Sequence, residues 1–187
     1  MSPNRLRRGG QLGVPTGFSL VELMVSVAIL AILLAAATPA YNGMIMNSTA
    51  TQYANNLMAS TMLARSEAIK RNAPVSLCVS ADGASCGSGG WEQGWLVTCS
   101  TSDQVACDSA GSGTLVIEYQ RAAKAGWKIT EAGGLRSITF EPSGTGATAA
   151  SLTVCRATPS VGTQQRVVRI SATGRPSTTK ITDSVCL

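Results

Sequence analysis

FSLVELMVSVAILAILLAAATPA occupies residues 18–40, and the architecture of the chain follows from it. Glu22 is its one charged side chain, and the run is long enough to cross a hydrocarbon core of about 30 Å as a helix. Arg5, Arg7 and Arg8 precede it, and no acidic residue does. Basic residues collect on the cytoplasmic side of an anchor, so the N-terminus is expected in the cytoplasm and everything after Ala40 across the membrane. A cleavable secretory signal is the competing reading, with small residues at Ala36-Ala37-Thr38-Pro39-Ala40 where a peptidase could cut. Three features oppose it. The apolar run exceeds the roughly 7–15 residues of such a signal. It holds a carboxylate near its start, and its helical pattern continues past Ala40. A carboxylate in the bilayer core costs roughly 2.5–3.5 kcal/mol on insertion scales, so Glu22 is expected to be kept for a partner. Cleavage before Phe18 would create an ammonium group four residues from it, and the Glu22 of one subunit could pair with the new N-terminus of its neighbour.

Beyond Ala40 the helical spacing persists. Ala50, Tyr53, Ala54, Leu57, Ala64 and Ala68 form a stripe with Met58, Met62 and Ile69 at its margins, the pattern of a helix lying on a core. Lys70 and Arg71, then Asn72 as a C-terminal cap and Pro74 beyond, mark the stop. From Val75 onward short β-branched and apolar runs alternate with Gly, Ser and Thr turns. Strands are predicted at 75–79, 95–99, 115–120, 127–130, 137–141, 151–156 and 166–171, separated by turn-like segments at 85–90, 108–113 and 142–150. The length of 187 residues leaves room for one domain and an anchor. The expected class is therefore α+β: a long N-terminal helix, membrane-spanning in its first half, packed on an antiparallel β-sandwich-like head.

The chain has six cysteines and no histidine. None of the cysteines falls in a C-x-x-C pair, so metal binding is not expected. An even count beyond a membrane anchor reads as three disulfides made in an oxidising compartment. Fifteen pairings are open to six cysteines. The spacing favours Cys78–Cys86 and Cys99–Cys107 as local loops, with Cys155 left to tie down Cys186. Without histidine there is no Ser-His-Asp or Cys-His unit, and neither catalysis nor a cofactor is expected. The formal charge is +5, much of it in the first seventeen residues, and the bland reading of the remainder is a solvated face.

Gly17-Phe18-Ser19-Leu20-Val21-Glu22, behind a basic leader and before an apolar helix, resembles the signal of type IV prepilins and pseudopilins. The resemblance implies that a prepilin peptidase cuts between Gly17 and Phe18 and methylates the new N-terminus. Residues 1–17 would be the leader, 18–72 the helix and 73–187 the head. Pro39 matches the helix-kinking proline of many pilins, and Gly43 nearby would ease melting there. Further on, Ala64-Arg65-Ser66-Glu67-Ala68-Ile69-Lys70-Arg71-Asn72, Val75-Ser76-Leu77-Cys78 and Trp91-x-x-Gly94-Trp95 resemble the FimT/FimU minor pilins and the pseudopilin GspH. This implies a low-abundance subunit that starts in the inner membrane with its head in the periplasm and then joins other minor and major pilins in a pilus, helping to prime its tip. A GspH-like pseudopilin serving type II secretion is the alternative on the same scaffold.

Some FimT proteins that bind DNA carry a C-terminal Gly-Arg-x-Arg motif. Here the run is Gly174-Arg175-Pro176-Ser177, without the second arginine. Arg166, Arg169, Arg175 and Lys180 are the candidate contacts to double-stranded DNA, although alternation along a strand puts Arg166 and Arg169 on opposite faces. Trp91 and Trp95 are read as sealing a core edge. Residues 143–147, glycine-rich but lacking the lysine and helix of a phosphate-binding loop, are read as a hairpin connection.

Overall fold

The computed structural model describes residues 17–100, 107, 114–158, 165–181 and 186. The leader before Gly17 and the turn expected at 108–113 lie outside them. Helix α1 runs Leu20–Arg71, and the chain divides into two compact units, Met1–Tyr41 and Asn42–Leu187.

In the first unit the helix starts where Ser19 makes starting cheap. The Ser19 hydroxyl accepts the Glu22 N–H at 3.2 Å, and its carbonyl accepts the Leu23 N–H at 3.1 Å. Ser19-Leu-Val-Glu22 thus has the residue types of a capping box, with the acid in the first turn where the helix dipole favours it. The side chains that follow point outward on every side, Ile32 at 70% exposure among them. Ser26 and Thr38 return their hydroxyls to the carbonyls of Glu22 and Leu34, at 2.8 and 2.9 Å. That satisfies them without water, as a lipid-facing helix requires. The helix is continuous through Pro39 and Gly43.

In the second unit α1 packs on two four-stranded antiparallel sheets. The strands are β1 (Val75–Val79), β2 (Gly94–Ser100), β3 (Thr114–Arg121), β4 (Trp127–Glu131), β5 (Ser137–Phe140), β6 (Ala150–Arg156), β7 (Gln165–Ile170) and β8 (Pro176–Ile181). One sheet has the order β3-β2-β1-β5 and the other β4-β6-β7-β8. Seven strands are expected and eight are found among the described residues. Pro176-Ser-Thr-Thr-Lys-Ile has no apolar alternation to announce a strand; it pairs with β7 at the sheet's edge and leaves most of its side chains in solvent. β7 begins one residue earlier than expected, at Gln165, and ends at Ile170. β5 stops at Phe140 because the Glu141 N–H turns inward to the Gly146 carbonyl at 2.8 Å.

All six residues of the helical stripe are buried, and Ser60 and Thr61 fill the gap in it between Leu57 and Ala64. Small side chains along α1 let it sit close to the sheets. The stripe meets Val75, Leu77, Val79, Trp95 and Val97 from the first sheet and Ile129, Leu152, Val154, Val168 and Ile170 from the second. α1 ends as its residues dictate. Asn72 takes a positive φ of 52°, the Ala73 N–H reaches the Ala68 carbonyl at 3.2 Å, and the Asn72 N–H reaches that of Ile69 at 3.3 Å. These two bonds are the pair that closes a Schellman cap.

Candidate functional site

Two regions bear on function: the N-terminal helix and the surface where α1 meets the head. Gly17 and Phe18 precede the helix, and Phe18 is 80% exposed. Glu22, one turn into α1, lies on the same outward-facing apolar surface, and no cation meets its carboxylate among the described residues. Mean hydropathy reaches 2.6 over the most apolar part of this helix. By length and composition it can cross a membrane.

On the head, a polar clamp fixes α1 at intervals along its length. Asn47 Oδ1 accepts from Arg166 Nη2 at 2.6 Å, and the Tyr53 hydroxyl accepts the Lys124 N–H at 2.9 Å. Ser60 is the hub: Trp95 Nε1 donates to its hydroxyl at 3.0 Å, and the hydroxyl donates to Glu118 Oε2 at 2.8 Å. Arg65 donates from Nε and Nη2 to the Gly144 carbonyl, at 3.0 and 2.7 Å. Near the helix end, Glu67 accepts from Arg71 Nε at 2.7 Å and from Lys70 Nζ at 3.3 Å. The Arg71 bond is the main reason its carboxyl is held below the ordinary glutamate range. The sequence left Ser60 and Asn47 unremarked and offered no pairing for Glu118, which here accepts from Ser60. The only available signal was a polar Ser-Thr pair in phase with an apolar stripe.

Trp91 and Trp95 are both buried, Trp91 giving its Nε1 proton to the Leu135 carbonyl at 2.8 Å. Both serve the core, as expected of them. The 143–147 loop joins β5 to β6 and offers the Gly144 carbonyl that Arg65 grips.

Disulfides join Cys78 to Cys86, Cys99 to Cys107 and Cys155 to Cys186. The first closes a loop organised by Asp82. Its Oδ1 accepts from the Ala84 and Ser85 N–H groups at 2.9 and 3.0 Å and from the Ser80 hydroxyl at 2.9 Å. Those donors, the Ala84 N–H first, hold the Asp82 carboxyl well below the usual carboxylate range.

The four candidate basic residues do not share one surface. Arg166 stands opposite Lys180 in the β7–β8 register, on the face turned toward α1, where its guanidinium is engaged by Asn47. Arg169 stands opposite Ser177 on the other face, and lines a shallow hollow with Arg175 and Glu131. Arg175 is exposed. Gly174 before it is buried at φ 72°, and an added Cβ would lie 3.3 Å from Arg65 Cδ and 3.4 Å from Phe140 Cδ1. That glycine brings the β7–β8 turn up against the helix.

A capped, apolar, outward-facing helix that continues into a helix-on-two-sheets head defines a type IV pilin-like protein. Residues 16–38 match the model of the prokaryotic N-terminal methylation motif. Residues 53–174 match the family described as type II transport protein GspH, and the chain belongs to that family. It is a minor pilin or pseudopilin of the type IV pilus or type II secretion class. Among solved structures, it is similar to the type IV minor pilin FimU of Pseudomonas aeruginosa, at 20% identity and a TM-score of 0.48, over 68% of this chain and 86% of that one. It is also similar to the minor pseudopilin EpsH from the type 2 secretion system of Vibrio cholerae, at 14% identity and a TM-score of 0.46, over 70% and 96% of the two chains. A comparison with curated proteins found no match.

Proposed function

We propose that this chain is a minor pilin: prepilin peptidase cuts it between Gly17 and Phe18, the helix from Phe18 to Ala40 holds it in the inner membrane with the head in the periplasm, and it then takes part in type IV pilus assembly at the tip. The observation that carries the reading is the carboxylate of Glu22, left without a cation on an apolar helix exposed on all sides. An acid in that setting is costly in lipid and is stabilised by an ammonium group from outside the chain. A new N-terminus at Phe18 of a neighbouring subunit is such a group. Apolar burial between helices supplies cohesion, and the Glu22 pair sets their register. The role is structural and not enzymatic.

Intact mass of the membrane-extracted protein, with and without reduction and alkylation, tests this. A mass that starts at methylated Phe18, with six cysteines protected until reduction, supports it. A chain beginning at Tyr41 would overturn it, because the filament helix would be gone.

The description of the matching family favours a second reading, a pseudopilin that serves protein secretion. Deletion in the native host separates the two, by loss of surface pili in the first case and of secreted protein in the second. The division of Arg166 and Lys180 from Arg169 and Arg175 offers no single stripe to a DNA backbone. Retardation of double-stranded DNA at low salt by the purified chain would be needed to add that role.

A further inference from the structure

Where α1 passes the β7–β8 turn, Met62, Arg65, Ser66 and Ile69 face Gly174, Arg175 and Pro176 across a hollow of about 480 Å³. Met62 and Ile69 lie at the margin of the buried stripe and remain 54% and 52% exposed. Two large apolar side chains seven positions apart sit on one flank of a helix, so they offer one continuous surface. The opposite wall is close only because Gly174, at φ 72°, lets the turn approach the Arg65 stem.

The charges in the hollow are of one sign. Both of its ionisable residues are arginines, and no carboxylate lines it. Arg65 is engaged by the Gly144 carbonyl through two N–H groups. Arg175 uses its backbone in the turn, its N–H reaching the Ser171 hydroxyl at 3.2 Å, while its guanidinium meets no acceptor among the described residues. The pocket therefore pairs an uncovered apolar wall with one uncommitted, planar cation suited to bidentate recognition of a carboxylate.

From this complementarity we infer that the hollow is a docking site for the head of a different pilin subunit, which inserts an aliphatic or aromatic side chain between Met62 and Ile69 and presents an adjacent carboxylate to Arg175. The inference rests on the minor-pilin reading and names a partner surface for it. Apolar burial would hold the contact, and the charge would select the partner and its orientation.

The test uses the full chain in the membranes of its native host, with Ile69→p-benzoylphenylalanine as a photocrosslinking probe and the same replacement at exposed Lys128 as a control. The expected product is a light-dependent adduct from position 69 to a peptide of another pilin, with Asp or Glu within a few residues of the linked site. Adding Arg175→Glu should lower the adduct yield about tenfold, and changing the partner's acid to arginine should restore it. Arg175 is exposed, so its replacement leaves the fold intact. Absence of an adduct, an adduct to lipid, to nucleic acid or to a second copy of this chain, or an adduct indifferent to Arg175→Glu overturns the inference. Intact mass from the same extract reads cleavage at Phe18 separately. A correctly cut chain without the adduct therefore removes the docking site alone, and an uncut chain removes the processing while the adduct still decides the docking.

Discussion

Ser60 carries more than its size suggests. It is 1% exposed, and its one hydroxyl both receives the Trp95 indole proton and donates to Glu118. Ser60→Ala fits the space but leaves a buried indole N–H without an acceptor and a carboxylate short of a donor. A loss of about 1–3 kcal/mol is expected by chemical denaturation. An unchanged midpoint would mean that water replaces the hydroxyl at no cost. Nothing in the sequence flagged this residue, because a serine in phase with a helical stripe has the same one-letter appearance whether it faces a tryptophan or solvent. Asp82 was equally silent, and its consequence is a pH dependence. Its carboxyl is held low in the folded chain, as is that of Glu67, so the folded state binds fewer protons than the unfolded one in the acid range. Their contribution is complete above the ordinary carboxylate pKa values, near about pH 4, and is lost as pH falls through the depressed folded values. Melting temperature should therefore drop below about pH 4, and the drop should shrink in Asp82→Asn combined with Glu67→Gln.

Elements differ in how openly the residues announce them. Helix α1 was legible almost to the residue, since Lys70, Arg71, Asn72 and Pro74 spell out its end and the structure closes it at Arg71. The reason is local: a positive φ at Asn72 is set by neighbours a few residues away. Asn72→Gly should keep or raise stability, and Asn72→Ala should lower the melting temperature through a loss of about 1 kcal/mol, since alanine resists the left-handed region. Seven strands were legible from their β-branched runs, whereas β8 was not. A polar edge strand earns its place through pairing with β7, and pairing is a long-range fact that composition does not carry. The same tail is held by Cys155–Cys186, whose sequence separation of 31 residues is the longest of the three bonds. Replacing both cysteines with serine should cost about 3–4 kcal/mol in the chain-entropy picture, against roughly 2–3 for either local bond. Thermal melts of the three double variants would order them, and equal losses would contradict the entropic account. The basic residues show the limit from the other side. Alternation separated Arg166 from Arg169, but only the strand register shows that Lys180 falls with the first and Arg175 beside the second.

For the molecule as a whole, the two compact units answer to different solvents. Asn42–Leu187 buries apolar side chains in a core of its own, whereas helical residues 20–38 expose theirs on every side. Such a surface is stable only in lipid or among other helices of its kind. A fully apolar helix would serve as an anchor, so on the proposed function the acid at Glu22 is what would turn an anchor into a subunit. Glu22→Gln removes the charge while keeping the shape and the place in the first turn. Insertion becomes easier, because an amide is less costly in lipid than a carboxylate. Cleavage after Gly17 should proceed as before, since the residues at the cut are untouched. Assembly should fail, because a neighbour's ammonium at Phe18 would lose its counter-charge in a low-dielectric setting, where breaking such a pair costs about 3–5 kcal/mol. The expected outcome is a membrane fraction equal to or larger than wild type, the same mature mass, and incorporation into filaments lowered at least about a hundredfold. Incorporation of the glutamine variant at wild-type levels would show that apolar contacts alone set the register, and the pairing of Glu22 with a neighbouring N-terminus would have to be abandoned.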